Sequence, residues 1–281
     1  MTRALEESEL PLPARSAGAL SFVDRPGPAG APTVLLLHAT LASSASLRDL
    51  AEGLADAARV IALDRRGSGR TPLRPARPMS IATHVADTVR VLDEAAVDRA
   101  VVVGHSFGGV VGVELAARHP DRVAALLVWE PPYLALADDA TRSHFDRLPH
   151  ALVAAHAAGG RAAAAEVFLD AVNGPGTWEA LPGRARSAVA AAGDGALADA
   201  SMPDLDPTGL GRITAPTIVA TGGRADPIYD PIAEALVARI PSARRVDLPG
   251  LEHMAPIGDP EPIAALVRDL LSELATWEPA R

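Results

Sequence analysis

The stretch Ala100-Val101-Val102-Val103-Gly104-His105-Ser106-Phe107-Gly108 limits what this chain can fold into more than any other. A β-branched run suited to a strand buried on both faces leads into a Gly-x-Ser-x-Gly pentapeptide. The apolar helical pattern of Val110, Val111, Val113, Leu115 and Ala116 follows at once and should end near Arg118-His119-Pro120. The chain therefore leaves a strand, turns sharply and enters a helix, with a serine hydroxyl at the tip of the turn. Such a turn is crowded, so a Cβ at either glycine is expected to strike the neighbouring strand or helix.

The same strand–helix rhythm runs through most of the sequence. Residues 18–23, 33–37, 60–63, 123–129, 217–221 and 245–248 read as strands. Helical spacing joins Leu47, Leu50, Leu54 and Ala58, and again Ile81, Val85, Val89 and Leu92, the latter opened by Ser80 as N-cap. Further helices are expected at 232–240 and 262–274, and the proline-rich stretch 70–78 reads as loop. Residues before Ala14 read as a loose leader. This alternation predicts an α/β fold, a mostly parallel central sheet flanked by helices. The rhythm stops at Pro131-Pro132. Alanine-rich segments at 152–158 and 162–172, broken by Gly159-Gly160 and Gly174-Pro175-Gly176, predict a helical insertion over 133–211. Residues 1–132 and 212–281 then form one core.

Composition removes several chemistries. The chain has no cysteine and no lysine among its 281 residues. Disulfides, thiolate nucleophiles, Schiff bases and a P-loop lysine are thereby excluded. Acidic residues outnumber basic ones by 35 to 26, which argues against nucleic acid or an anionic membrane as partner. Glu6, Glu7 and Glu9 stand where a signal peptide needs an apolar core, and no apolar stretch reaches the length of a membrane span. A soluble cytoplasmic protein is expected.

Ser106 needs a base and a group to orient that base. Among eight histidines, His253 is the best placed, after the strand ending at Leu248 and before the last helix. His84, His119, His144, His150 and His156 show no metal-ligand spacing, and His105 is read as packing. Asp226, just past the 217–221 strand, is the expected acid. Glu130, at the end of the strand before the insertion, is the rival.

Together these features resemble the α/β-hydrolase family. The resemblance rests on Leu35-Leu36-Leu37-His38, on Asp64-Arg65-Arg66-Gly67-Ser68-Gly69-Arg70, on the serine turn, on residues 221–227 and on residues 250–253. Thr71 stands where that family's glycine-rich loop usually has serine, and Ala39 where it usually has glycine after the histidine. The resemblance implies a triad of Ser106, His253 and Asp226. It also implies an oxyanion hole from the N–H groups of Phe107 and Thr40. His38 is read as a prop for that loop, and Asp64 and Arg66 as structural. The insertion occupies the place of the family's cap.

The expected activity is hydrolysis of a small ester, lactone or thioester, without metal or organic cofactor, and rising as His253 loses its proton near pH 6–7. Lyase, C–C hydrolase or perhydrolase chemistry on the same triad is one alternative, and a ligand-binding receptor is another. The substrate is expected to be a small apolar molecule. Its pocket is expected among Trp129, Tyr133, Phe145, Phe168, Trp178 and Met202. Oligomeric state is silent in the sequence.

Overall fold

The computed structural model describes residues 14–73, 79–200, 205–224 and 228–276. Its strands are β1 (Ala14–Ala17), β2 (Leu20–Arg25), β3 (Thr33–Leu37), β4 (Arg59–Asp64), β5 (Ala100–His105), β6 (Val123–Trp129), β7 (Thr217–Gly222) and β8 (Ala243–Leu248). They make one sheet in the order β1-β2-β4-β3-β5-β6-β7-β8. The strands from β3 to β8 are parallel, and β1 and β2 form an antiparallel edge. The short, mostly exposed β1 goes beyond the sequence reading, because only Ala17 of its four residues is buried and it carries no hydrophobic alternation.

The helices are α1 (Arg48–Glu52), α2 (Ile81–Glu94), α3 (Phe107–Arg118), α4 (Asp139–Phe145), α5 (Leu148–Asn173), α6 (Thr177–Ala180), α7 (Gly183–Ala191), α8 (Gly193–Ala200), α9 (Tyr229–Arg239), α10 (Ala255–Gly258) and α11 (Glu261–Thr276). Alternate residues of each central strand enter opposite cores, as the two-residue strand period requires. Leu35 and Leu37 of β3 face the core beneath α2, α3 and α9. Val34 and Leu36 face the core beneath α1 and α11. Ser80 caps α2 by accepting the Thr83 N–H at 3.2 Å. The helix expected over Leu47 to Ala58 is shorter: a 3₁₀ turn at Ser44–Leu47, then α1, then tight turns after Gly53. Leu50, Leu54 and Ala58 are nonetheless buried.

Between β6 and β7 the described residues form helices and no strand. The glycine pairs act where the sequence placed them. Gly160 has non-helical φ 68°, ψ −161° and kinks α5, and Gly174 at φ 98° stops it. Leu41, Ala165, Leu169, Trp178, Ala192 and Ala196 form a small separate core that joins the insertion to the loop after β3. No helix among the described residues is long and apolar enough to cross a membrane.

Candidate active site

Ser106 joins β5 to α3 with φ 52° and ψ −121°, a conformation that L-residues rarely adopt. The flanking glycines are required for space rather than for left-handed backbone. A Cβ on Gly104 would lie 2.5 Å from Gly109 Cα, and one on Gly108 would lie 2.1 Å from Leu37 O. The turn is thus pressed between α3 and the end of β3. The Ser106 N–H donates to Trp129 O at 2.8 Å, which ties the turn to β6.

Glu130 follows Trp129, the residue paired with His105 in the sheet. It too has positive φ, 45°. Two side-chain-bearing residues at the ends of neighbouring strands therefore hold strained backbones, a pattern that clusters at functional sites. The Glu130 side chain is wholly buried and doubly bound: Oε1 accepts the Gly222 N–H at 2.8 Å, and Oε2 lies 2.7 Å from His253 Nδ1. Gly222 must be glycine, because a Cβ there would fall 2.3 Å from Leu251 O in the loop that carries His253. The imidazole of His253 stacks on Tyr229 with centroids 4.7 Å apart and rings 6° from parallel. Its backbone carbonyl accepts the Trp129 indole N–H at 2.9 Å. Burial opposes charge on both partners. It raises the Glu130 carboxyl and lowers the His253 imidazole, while their 2.7 Å contact favours the ionised carboxylate beside the Nδ1 proton.

The carboxylate on His253 is thus that of Glu130. Asp226 lies outside the described residues, as does Met202.

The opposite side of Ser106 is built on the loop after β3. His38 is buried and accepts the Arg65 N–H on Nε2 at 3.0 Å, so Nδ1 carries the proton and donates to Ala39 O at 2.7 Å. Burial, reinforced by the Arg65 charge, pulls its imidazole down to about 3, so this residue stays neutral as a prop. Ala39 is not among the left-handed residues; the positive φ of this loop falls one step beyond Thr40, on Leu41 at 63°. Alanine in place of the usual glycine therefore adds no left-handed strain. No backbone hydrogen bond uses the N–H of Thr40 or of Phe107 among the described residues.

Asp64 holds the glycine-rich loop: its oxygens accept the Ser44 and Arg70 N–H groups at 2.8 and 3.0 Å. Gly69, at φ 55°, leaves room for that carboxylate. The Thr71 hydroxyl accepts the Ser21 N–H at 2.8 Å and so ties this loop to β2. Arg66 pairs with Asp87 through two bonds.

Ser106 and His253 open onto a cleft of about 1140 Å³. Leu41, Phe168, Leu169, Val189 and Met254 supply apolar wall. Of the aromatic residues expected here, Phe168 lines the cleft. Tyr133 is buried in the α2–α3–α9 core with its hydroxyl on Glu114. Trp129 packs beneath the sheet, Trp178 packs inside the insertion, and half-buried Phe145 is not among the lining residues. An aromatic side chain is large enough to serve as core or as wall, and sequence alone does not separate the two.

A family model for the alpha/beta hydrolase fold matches residues 32–149. An alpha/beta hydrolase from Sphaerobacter thermophilus DSM 20745 superposes with a TM-score of 0.75 at 27% identity, covering 89% of this chain and 95% of that one. The chain has the α/β-hydrolase fold.

Among curated relatives, RutD of Variovorax paradoxus (strain S110) is 40% identical over 110 residues, 38% of this chain and 41% of its own length. Lipase LipV of Mycobacterium tuberculosis (strain ATCC 25618 / H37Rv) is 39% identical over 120 residues, 43% and 44% of the two chains. The matched region thus spans about two fifths of the curated relatives.

Proposed function

We propose that the protein is a serine hydrolase that cleaves a small, uncharged carboxylic ester, lactone or thioester through an acyl-enzyme on Ser106. The observation that carries this reading is the 2.7 Å contact between His253 Nδ1 and Glu130 Oε2, at the sheet edge where the Ser106 turn ends. With the Nδ1 proton engaged by the carboxylate, Nε2 is the free acceptor. It takes the Ser106 proton as Oγ attacks the carbonyl carbon. Negative charge moves to the carbonyl oxygen and is met by the N–H groups of Thr40 and Phe107. Collapse breaks the acyl bond, and His253 returns the proton to the departing alcohol or thiol. Water then repeats the sequence on the acyl-enzyme and frees the acid. Glu130 orients the imidazole and balances its transient charge, in place of Asp226.

The cleft supports the substrate class. Its described wall is mainly apolar, and its one guanidinium, Arg224, pairs with Glu252 at 3.3 Å. Asp170 and Asp259 add negative charge to the same wall, which disfavours an anionic substrate. Residues 133–211 act as the cap that supplies specificity, over a core of residues 1–132 and 212–281. RutD, named as a carbamate hydrolase, and LipV, named as a lipase, would share with such an enzyme the attack on an acyl carbonyl.

The reading is tested with p-nitrophenyl esters of increasing chain length and with a fluorophosphonate probe. Wild-type protein should turn over the short esters and gain one phosphonyl group, found by peptide mass spectrometry on Ser106. Ser106→Ala should lose both, with turnover down by about 10⁴-fold or more. Retained turnover in that variant would overturn the assignment.

A further inference from the structure

Ser106 is flanked on its Thr40 side by a buried charged cluster that the proton-transfer chemistry does not use. Asp199, on α8 of the insertion, accepts two bonds from the Arg65 guanidinium, at 3.0 and 2.9 Å. It also accepts the Thr40 hydroxyl at 2.8 Å. Arg65 Nε donates to His38 O at 3.1 Å, and its guanidinium carbon stands 4.8 Å over the ring of Phe107. His84, 3.5 Å from Asp199 through Nε2, packs edge-on against the same ring. Arg65, Asp199 and Thr40 are 2%, 8% and 9% exposed, so the cluster is dry.

Two glycines make this meeting possible. A Cβ on Gly67 would lie 2.9 Å from Gly195 Cα, and one on Gly195 would lie 3.0 Å from Gly67 O. The backbone of α8 therefore lies directly on the loop after β4. Asp199 is four residues beyond Gly195, on the same helical face, and so reaches over Arg65.

A buried ion pair is a weak source of stability compared with apolar packing of the same volume, so its placement calls for another explanation. Both residues proposed to donate to the oxyanion, Thr40 and Phe107, touch this cluster. We propose that Asp199 is a positioning residue: through the Thr40 hydroxyl and Arg65 it fixes the Thr40 peptide N–H at the distance from Ser106 that the tetrahedral oxygen requires. The inference rests on the serine-hydrolase reading. It makes the oxyanion hole dependent on the insertion, because α8 supplies the carboxylate while β3 and β4 supply the loop and the guanidinium. Leu41, strained at φ 63°, follows Thr40 and packs into the insertion's own core. The loop is thus held from both ends.

The experiment measures kcat and KM on a short p-nitrophenyl ester, and inhibition by a trifluoromethyl ketone that adds to a serine as an anionic hemiketal. Thr40→Val and Asp199→Asn should each lower kcat by about 10- to 100-fold with KM within about twofold, since misplacing a donor weakens transition-state binding alone. Affinity for the trifluoromethyl ketone should fall in parallel, and Thr40→Ser should recover most of what Thr40→Val loses. If Thr40→Val does not fold, the near-isosteric Asp199→Asn carries the same expectation. A kcat within twofold of wild type in a folded variant, or a loss shared equally by ester and ketone binding, would overturn the inference. Ser106→Ala in the same series separates the two failures. An active Ser106→Ala defeats the serine-hydrolase reading, whereas an inactive Ser106→Ala beside an unimpaired Asp199→Asn defeats only the role of the cluster.

Discussion

The two flanks of Ser106 are held by different means. On the base side, Glu130, Gly222 and the His253 loop belong to the ends of β6 and β7 and the segment after β8, and backbone bonds within the sheet fix the carboxylate. On the proposed oxyanion side, the loop after β3 is tied to the insertion through the Thr40 hydroxyl on Asp199, itself paired with buried Arg65. In the proposed mechanism, proton transfer is thereby attached to strand ends of the sheet. Charge stabilisation, in the same mechanism, is attached to a loop that the insertion holds. A change in the insertion should reach the second flank before the first.

The largest effect that sharpens this contrast is loss of the nucleophile common to both flanks, the 10⁴-fold or greater fall for Ser106→Ala. Glu130→Gln comes next, with kcat on a short ester expected to drop by about 10³- to 10⁴-fold and KM little changed. The oxyanion-side variants follow, at about 10- to 100-fold, and a double variant Glu130→Gln/Asp199→Asn should show near-multiplicative losses if the flanks are independent. Strong non-additivity would break the comparison.

Each flank also carries two buried histidines whose charged forms burial disfavours, His253 and His105 on one side and His38 and His84 on the other. Their folded-state pKa values are lowered, so the unfolded chain binds more protons as pH falls through 6.5. Stability is lost from that point downward, until the folded-state values, about 4 for His253 and about 3 for His38, are reached. Urea unfolding between pH 7 and 4 should show it, at about 1.4 kcal/mol per pH unit for each histidine that remains neutral when folded, less the opposing contribution of Glu130, whose raised folded-state pKa favours the fold as pH falls. A stability independent of pH in this window would contradict the neutral assignment. The smallest effect belongs to the cleft wall. Phe168→Ala should shift ester chain-length preference by about three- to tenfold in kcat/KM while leaving phosphonylation of Ser106 intact.

The contrast between the flanks also explains what was legible in the sequence. β3 and β6 are found at their expected bounds because an apolar run between turn residues is a local signal. Ser106 and His253 are legible because a strand-end loop places them. The choice between Glu130 and Asp226 is not, because both follow strands that end at the same sheet edge. What brings Glu130 to His253 is a long-range hydrogen bond spanning 123 residues, which no local pattern encodes. Asp199 is harder still. Its one trace is a carboxylate in the alanine- and glycine-rich stretch Gly193–Ala200, four residues after a glycine, and its partner Arg65 is 134 residues away. The shortened α1 shows the reverse limit: hydrophobic spacing predicts which residues are buried there, while the hydrogen bonding around Gly53 decides how long the helix is.

The most direct test of the account is a paired measurement of kcat/KM for Glu130→Gln and Asp226→Asn on one short p-nitrophenyl ester, with folding checked by circular dichroism. A loss of about 10³-fold or more is expected for Glu130→Gln, and a change of no more than about threefold for Asp226→Asn. The opposite ranking would move the orienting carboxylate to the end of β7 and contradict the base flank described for this site.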